Sequence, residues 1–326
     1  MKVNRVMKML RVGEWLFSKL PFLFLPILIY INDFGSTKYQ LLLCLAYFVY
    51  LFTFLGFGYA INDYSDREID KKIGKTNVMG ELSNWKCLSI LTLLVLGGVP
   101  FAAMIFSVPS LLLFVFVYFW GAAYSVRPFR FKEKGVAGLL VSSLAQRTIP
   151  LLPLLSISKS YWPIVCICGL SGFLVGLRYI LIHQYEDIEN DQLTGTNTYV
   201  KNHNHGISKM VYIPFAIECV LVLALELFFI KSIIGYAFAL LCVVQTFITY
   251  HTIQHIYRKK YFLSFICVPF EDMYNFYIPL SLLIGLACKN IIWVLPIAIL
   301  VVISAKDMIN KWKTAIFGVT HWRNHK

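Results

Sequence analysis

Charged residues are scarce in this chain of 326 residues, since Asp, Glu, Lys and Arg together make up only 14% of it. A soluble domain typically contains about 25%. Hydrophobic residues make up 58% of the chain and aromatic residues 16%. This composition excludes a soluble globular protein and predicts an integral membrane protein that spans the bilayer several times.

Other features that the sequence lacks exclude further classes of protein. The eight cysteines form no CxxC pair, so neither a disulfide framework nor a zinc site is predicted. No soluble segment interleaves basic and aromatic residues, so nucleic acid is not a predicted partner, although the net charge is +13. The first apolar run has no small-residue cleavage site, which argues against a cleaved signal peptide.

Long apolar runs predict transmembrane helices, because a spanning helix needs about 20 mostly apolar residues. The candidate spans lie near residues 15–32, 39–60, 86–106, 109–124, 136–157, 161–182, 210–230, 233–256, 269–287 and 290–305. We therefore predict an all-α, polytopic helical bundle around a central cavity, with residues 1–326 forming a single domain.

The basic residues predict the orientation of the bundle. If the N-terminus is cytoplasmic and the spans alternate, 25 of the 30 Lys and Arg residues fall in inner segments, five of them between Lys2 and Lys19. Only four fall in outer turns, and Arg147 lies inside a span. Cytoplasmic loops are enriched in Lys and Arg. The N-terminus is therefore predicted to be cytoplasmic.

Two acidic clusters, Asn62–Asp70 and Asp187–Asp191, lie at the ends of apolar runs on the predicted cytoplasmic side. Residues four apart share one face of a helix, so Asp66 and Asp70 would lie together, as would Asp187 and Asp191. Asp63 precedes Asp66 by about one turn. The two clusters are 121 residues apart, a spacing that suggests a four-helix unit used twice. Such a repeat would place the clusters on opposite sides of a central cavity.

Like charges this close together repel unless a cation lies between them. Mg²⁺ prefers oxygen ligands and is typically held by one or two carboxylates together with substrate phosphates. We therefore predict that Mg²⁺ and a diphosphate bind between the clusters, with an isoprenoid tail among apolar walls. The simpler alternative is that these carboxylates are solvated and balanced by neighbouring Lys and Arg residues.

Four motifs resemble those of the UbiA-type intramembrane prenyltransferases, in the order that the family has them. The segment Asn62-Asp63-x-x-Asp66-x-x-x-Asp70 resembles the first signature, and Asp187-x-x-x-Asp191 resembles the second. The loop from Tyr124 to Lys132 resembles the family's Tyr-Ser-x-x-Pro-x-Arg-x-Lys loop. Arg11 resembles its early arginine. Members of the family usually have nine spans, so nine or ten are expected here.

The resemblance implies transfer of a prenyl group from a polyprenyl diphosphate to a hydrophobic, usually aromatic, acceptor. It implies that Mg²⁺ is held by Asp63, Asp66, Asp70, Asp187 and Asp191. Further predicted substrate-binding residues are Asn62, Arg11, Tyr124, Arg127, Arg130, Lys132, Arg147, Arg178 and His183. Aromatic faces for an allylic cation are expected from Tyr59, Tyr64, Tyr118, Phe119, Tyr124 and Tyr179.

Several of these residues also have a simpler interpretation. Positive-inside anchoring is an alternative for Arg127, Arg130 and Lys132. It is also an alternative to substrate contact for Arg178 and His183. Arg147 follows Gln146 in mid-span, where a charge normally faces a cavity or a partner. Glu271 and Asp272, at the start of the ninth predicted span, are expected to interact with the helix dipole.

Three alternative functions remain open at this point. A terpene cyclase and a polyprenyl-phosphate phosphoribosyltransferase would use the same metal chemistry, and only the acceptor pocket would distinguish them. A transporter is disfavoured because transporter ion sites lie near the bilayer midplane, whereas these carboxylates lie at the ends of predicted spans.

Overall fold

The structure is a computed structural model, which describes residues 3–35, 38–72, 74, 76–105, 108–186, 188, 192, 198–203, 207–253 and 270–317. All regular secondary structure in these residues is helical. The α-helices are α1 Val3–Met9, α2 Val12–Trp15, α3 Leu20–Phe34, α4 Lys38–Lys72, α5 Asn84–Gly97, α6 Val99–Met104, α7 Val108–Ala123, α8 Gly135–Arg147, α9 Trp162–Glu186, α10 Tyr199–Asn202, α11 Ile207–Ala224, α12 Ile233–Ile253, α13 Ile278–Lys289 and α14 Val294–Phe317. Leu225–Ile230 and Met273–Tyr277 are π-helical.

Six helices in the described residues are long and apolar enough to cross a membrane. They are Lys38–Lys71, Asn84–Met104, Lys159–Glu186, Lys209–Ile230, Ile233–Thr252 and Ile291–Phe317. A seventh forms if Gly135–Arg147 and Ile149–Ser156, which meet at a 49° bend, are counted as one span. The apolar helices Leu20–Asp33 and Pro109–Ala123 are shorter.

The all-α prediction is confirmed for the described residues, and each of the ten predicted spans overlaps a helix. The described residues contain fewer helices that could span a membrane than the nine or ten predicted. Six or seven helices meet the length and composition that a span requires. Two further apolar helices are too short: Leu20–Asp33, for example, would extend about 21 Å against the roughly 30 Å of hydrocarbon in a bilayer.

Helix α4 carries the first acidic cluster because nothing in the sequence interrupts the helix at the end of its apolar part. No glycine or proline occurs between Gly58 and Gly74, and the helix continues for 35 residues. That length corresponds to about 52 Å, more than the hydrocarbon thickness. The acidic cluster therefore occupies the last turns of one continuous, rigid helix.

An aromatic core fixes the N-terminal half of α4 against α6 and α7. Tyr50 stacks on Phe101 with 5.2 Å between ring centroids, and Phe54 packs edge-on against Tyr118 at 5.5 Å. The Tyr50 hydroxyl donates a hydrogen bond to the carbonyl oxygen of Pro150 at 3.1 Å. Tyr118 is therefore part of this packing, whereas the sequence analysis expected it to face an allylic cation.

Helices α8 and α9 cross in backbone contact because glycine lies at the crossing. A Cβ atom on Gly176 would lie 2.6 Å from the carbonyl oxygen of Ser143, and one on Gly172 would lie 3.0 Å from that of Arg147. Larger side chains would separate the two helices. The crossing therefore fixes the position of Gln146, near the C-terminus of α8, relative to the end of α9.

Candidate active site

Two adjoining cavities lie beside the C-terminal half of α4. The central cavity has a volume of about 460 Å³, and the helix-end cavity about 240 Å³. Five residues line both cavities: Asp66, Tyr124, Lys132, Ile180 and His183. These come from α4, from the loop after α7, and from α9. The two cavities thus adjoin each other where these three segments meet.

Asp66 lies between two cations in the wall that the cavities share. Lys132 Nζ donates to both carboxylate oxygens of Asp66 at 2.5 Å, and Arg130 Nη2 donates to Oδ1 at 3.0 Å. The side chains of Asp66, Lys132 and Arg130 are 18%, 15% and 9% exposed. A carboxylate has about four lone-pair sites. Asp66 can therefore accept these bonds and still present an oxygen to the cavity.

The loop between α7 and α8 brings Arg130 and Lys132 to α4 by folding back on itself. The Arg130 N–H donates to the carbonyl oxygen of Val126 at 2.8 Å, and the Lys132 N–H donates to that of Tyr124 at 3.1 Å. Arg130 has a left-handed backbone conformation with φ of 37°. Its side chain also bonds Glu133 at 2.6 Å. These contacts orient both cations toward Asp66.

Asn62 is fixed one turn before Asp66 by two hydrogen bonds. Its Oδ1 accepts from Ser125 Oγ at 2.8 Å and from Lys132 Nζ at 3.1 Å. Lys132 therefore joins the side chains of Asn62 and Asp66 across one turn of α4. Both residues line the central cavity, and their roles as a substrate contact and a metal ligand stay predictions.

Burial affects the two cations of the loop differently. Burial lowers the pKa of Lys132, although its hydrogen bond to Asp66 acts in the opposite direction. Burial also acts to lower the pKa of Arg130, but its interactions with Glu133 and Asp66 outweigh burial, so its pKa is raised. Arg130 thus holds its proton more tightly than an exposed arginine does, whereas Lys132 loses its proton more easily than an exposed lysine does.

The other two carboxylates of the first cluster have their own partners. Asp70 is 6% exposed and lines the helix-end cavity, where its Oδ2 accepts from Asn77 Nδ2 at 2.7 Å. Asp63 lies 3.9 Å from Arg11, which in turn pairs with Glu14 at 3.0 Å. Asp66 and Asp70 face the same cavity, as their spacing predicted.

Among the described residues, no three His, Cys, Asp or Glu side chains converge as a set of metal ligands. Asp187 and Asp191, the second half of the predicted set, lie outside the described residues. Helix α9 ends at Glu186, and its residues Ile180 and His183 line both cavities. The five-carboxylate metal site therefore stays a prediction.

A polar cluster lies at the other end of the central cavity, between α3, α4 and α8. Lys19 Nζ donates to the Tyr59 hydroxyl at 2.9 Å and to Gln146 Oε1 at 2.6 Å. It lies 4.9 Å from the centre of the Tyr59 ring, and the guanidinium of Arg11 lies 5.6 Å from the same ring. Such distances are typical of cation–π contacts.

Arg178 and Arg147 are buried, and neither is among the residues that line the two cavities. Arg178 forms a bidentate pair with Glu218, with both N–O distances at 2.8 Å, and lies 3.6 Å from Glu271. Arg147 donates to the carbonyl oxygen of Ser18 at 2.9 Å. Its guanidinium also lies 5.1 Å from the centre of the Tyr179 ring, and its predicted cavity or ion-pair role stays a prediction.

The contacts of three other residues, Arg127, Glu271 and Asp272, differ from those that the sequence predicts. Arg127 is exposed, and no contact within the described part of the chain joins it to the cavities. Glu271 accepts a hydrogen bond from Tyr179, and Asp272 pairs with Lys311. The last two carboxylates are 2% and 0% exposed. They therefore belong to interhelical pairs, whereas the sequence suggested only a role at a helix terminus.

The sequence analysis missed several residues that hold the site together. Ser125 fixes Asn62, Asn77 fixes Asp70, and Glu14 pairs with Arg11. The sequence analysis uses Lys19 only in the count of basic residues that predicts the orientation of the bundle. Its position just before the apolar run at Leu20 was the available signal, because a lysine there can face either water or the interior of the bundle.

Comparison with known proteins identifies the family of this bundle. The sequence profile of the UbiA prenyltransferase family matches residues 20–268. The chain belongs to the UbiA prenyltransferase family. The match includes both acidic clusters and the loop from Tyr124 to Lys132, whereas Arg11 and Lys19 precede it. No curated protein sequence matches the chain.

Solved structures share the UbiA fold with this chain at low sequence identity. A digeranylgeranylglyceryl phosphate synthase is 17% identical, with a TM-score of 0.58 over 85% of this chain and 99% of that one. A UbiA homologue from Archaeoglobus fulgidus, bound to GPP and Mg²⁺, is 18% identical, with a TM-score of 0.53 over 84% of this chain and 99% of that one. The same homologue bound to DMAPP and Mg²⁺ is also 18% identical, with a TM-score of 0.51 over 97% of this chain and 100% of that one.

Proposed function

We propose that this chain transfers a prenyl group from a polyprenyl diphosphate to a hydrophobic, aromatic acceptor inside the membrane, with residues 1–326 acting as one domain. The observation that carries the proposal is the convergence of Arg130 and Lys132 on Asp66 in the wall shared by two cavities. Membership of the UbiA prenyltransferase family supports it, as do the prenyl diphosphates and Mg²⁺ bound by the Archaeoglobus fulgidus homologue.

Arg130 and Lys132 are suited to bind the diphosphate. Charge-assisted hydrogen bonds to phosphate oxygens are about twice as strong as neutral ones, and the guanidinium fork matches phosphate geometry. Both cations already lie at the cavity wall and are held there by Asp66, Asn62 and Glu133. Binding therefore requires little reorganisation of the loop.

The oxygen donors at this wall fit a hard divalent cation. Asp66 and Asp70 line the helix-end cavity and offer carboxylate oxygens, which Mg²⁺ prefers. We propose that they hold the ion together with Asp63, Asp187 and Asp191. When bound, Mg²⁺ neutralises the charge that develops on the leaving diphosphate.

The remaining chemistry is a displacement at carbon 1 of the prenyl group. The bond from this carbon to the bridging oxygen breaks, and its electron pair leaves with the diphosphate. A nucleophilic carbon or oxygen of the acceptor forms the new bond, and the acceptor loses a proton to water. Tyr59 and Tyr124 line the central cavity beside apolar Phe54, Leu55 and Ile180, where aromatic faces can stabilise an allylic cation.

The decisive experiment uses purified full-length protein with Mg²⁺ and prenyl diphosphates of several chain lengths, with and without membrane lipid extract. The products are identified by mass spectrometry. We expect diphosphate release together with a prenylated lipid only when the extract is present. Release without any acceptor would instead support the cyclase, and no release under any condition would refute the proposal.

A further inference from the structure

The loop between α7 and α8 carries an aromatic cluster as well as the two cations that contact Asp66. Phe129 stacks on Phe131 with 6.0 Å between ring centroids, and Trp120 of α7 stacks on Phe131 at 5.6 Å. Phe119 of α7 packs edge-on against Phe129 at 5.4 Å. Phe119 and Phe129 are 45% and 41% exposed, and none of the four rings lines either cavity. The cluster therefore presents an apolar face on the outside of the bundle.

The charges of this loop do not cancel. Its only acidic residue, Glu133, pairs with Arg130 at 2.6 Å. Arg127 and Lys134 are exposed, and neither forms an ion pair with any described residue. The Lys134 ammonium lies 5.1 Å from the centre of the Phe131 ring. Two positive charges therefore remain on the loop, and one of them lies directly against the aromatic cluster.

The folding of the loop brings these two cations close to each other. The Lys132 N–H donates to the carbonyl oxygen of Tyr124 at 3.1 Å, which joins the two ends of the loop. Arg127 follows Tyr124 by three residues, and Lys134 follows Lys132 by two. Both charges are thus carried on one short, hydrogen-bonded loop.

An apolar face bordered by cations fits the boundary between the hydrocarbon and the headgroups of a bilayer. Aromatic side chains are enriched at this boundary. Lys and Arg residues near it attract the headgroups of anionic lipids. Helix α7 is apolar and ends at Ala123, directly before the loop. The aromatic cluster therefore lies where an apolar helix of the bundle ends.

We propose that Arg127 and Lys134 bind the headgroup of an anionic phospholipid, whose acyl chains lie against Phe119 and Phe129. The partner is a lipid because the two cations border an exposed apolar face, which a free anion would leave uncovered. This site is separate from the proposed diphosphate site, whose cations contact Asp66. The inference does not depend on the proposed prenyl transfer.

Trp120 provides a reporter within the cluster. Purified full-length protein is reconstituted into phosphatidylcholine vesicles with a small fraction of lipid that carries brominated acyl chains, which quench the fluorescence of an indole that they contact. The chain has seven tryptophans, so the signal of Trp120 is the difference between the wild type and Trp120→Phe. We expect brominated phosphatidylglycerol to associate about thirtyfold more tightly than brominated phosphatidylcholine, as two basic residues near an anionic headgroup provide.

Paired substitutions separate these two charges from the net charge of the chain. Arg127→Gln combined with Lys134→Gln should abolish the preference for phosphatidylglycerol, whereas Arg127→Lys combined with Lys134→Arg should retain it. The matched control combines Lys38→Gln with Lys159→Gln. It removes the same charge from two exposed lysines that form no ion pair with a described residue, and it should retain the preference. Sodium chloride should weaken the preference, because exposed charges are screened.

The outcomes decide between a lipid site, a free-anion site and a general effect of charge. Equal quenching of Trp120 by the two lipids, no quenching by either, or a preference that persists without both cations would overturn the assignment. Loss of the preference in the matched control would indicate a general effect of net charge. Loss of it in sodium phosphate, but not in sodium chloride of equal ionic strength, would indicate a free-anion site. Either result would also overturn the assignment. If the double variant does not fold, Arg127→Gln and Lys134→Gln decide singly, and each should weaken the preference.

Discussion

Replacing Asp66 by asparagine tests whether this carboxylate takes part in the reaction or only neutralises its neighbours. Asparagine keeps the size of the side chain but removes the anion on which Arg130 and Lys132 converge. Both cations retain a second partner, Glu133 for Arg130 and Asn62 for Lys132. We therefore expect a loss of only about 1–3 kcal/mol in stability, with the protein still folded in detergent.

The effect on catalysis should be larger than the effect on folding. Removing one ligand charge from the diphosphate site should lower kcat at least about a hundredfold, equivalent to about 2.7 kcal/mol on the barrier. The KM for the prenyl diphosphate should not rise, because Arg130 and Lys132 lose an internal anion that competes with the substrate. Kinetics at saturating Mg²⁺ together with thermal unfolding in detergent measure both quantities.

Glu68→Gln is the matched control for Asp66→Asn. Glu68 lies on the same helix two residues further on, but its side chain is 80% exposed and lies 3.8 Å from Arg67. Its loss should leave kcat and KM unchanged. A wild-type kcat for Asp66→Asn would refute the catalytic assignment and leave Asp66 as a counter-ion for the loop.

Three further predictions test the loop, the helix crossing and the topology. Because burial lowers the pKa of Lys132, its charge and the diphosphate affinity should be lost on the alkaline side at a lower pH than for a free lysine. In Lys132→Arg, the alkaline rise of KM should disappear, and an unchanged pH profile would contradict the assignment. Gly176→Ala places a Cβ 2.6 Å from the Ser143 carbonyl oxygen and should lower stability by about 1–3 kcal/mol in thermal unfolding, whereas Gly13→Ala, which meets no atom within 4 Å, should have no such effect. A reporter fused after residue 75 should be cytoplasmic and one in the turn near residue 159 external; the reverse result would invert the predicted topology.

Local sequence patterns predicted that Asp66 and Asp70 face the same cavity, because a single helix determines their relative positions. The three-residue and four-residue spacings place Asp63, Asp66 and Asp70 near one another wherever an uninterrupted helix carries them. The sequence from Tyr59 to Lys72 contains no helix breaker, and α4 runs through it. The family resemblance supplied the loop, and Arg130 and Lys132 do contact Asp66.

Contacts between distant segments could not be predicted from the same patterns. Lys19 and Gln146 are 127 residues apart, and Arg178 and Glu218 are 40 apart on neighbouring helices. Such pairs depend on the rotation and crossing of whole helices. For the same reason Arg178, which the sequence allowed as a substrate contact, lies in a bidentate pair with Glu218.

The packing of the long apolar helices also sets the positions of the polar residues that line the cavities. Helix α9 brings Ile180 and His183 to the cavities opposite Asp66 of α4, and Asp187 follows His183 by four residues in the sequence. The position of α9 is set by Gly172 and Gly176, which let it touch the backbone of α8. The same α8 carries Gln146, the partner of Lys19. One glycine crossing therefore positions both the cavity residues of α9 and the hydrogen bond from Lys19 to Gln146, so a change that separates α8 from α9 should disturb both together.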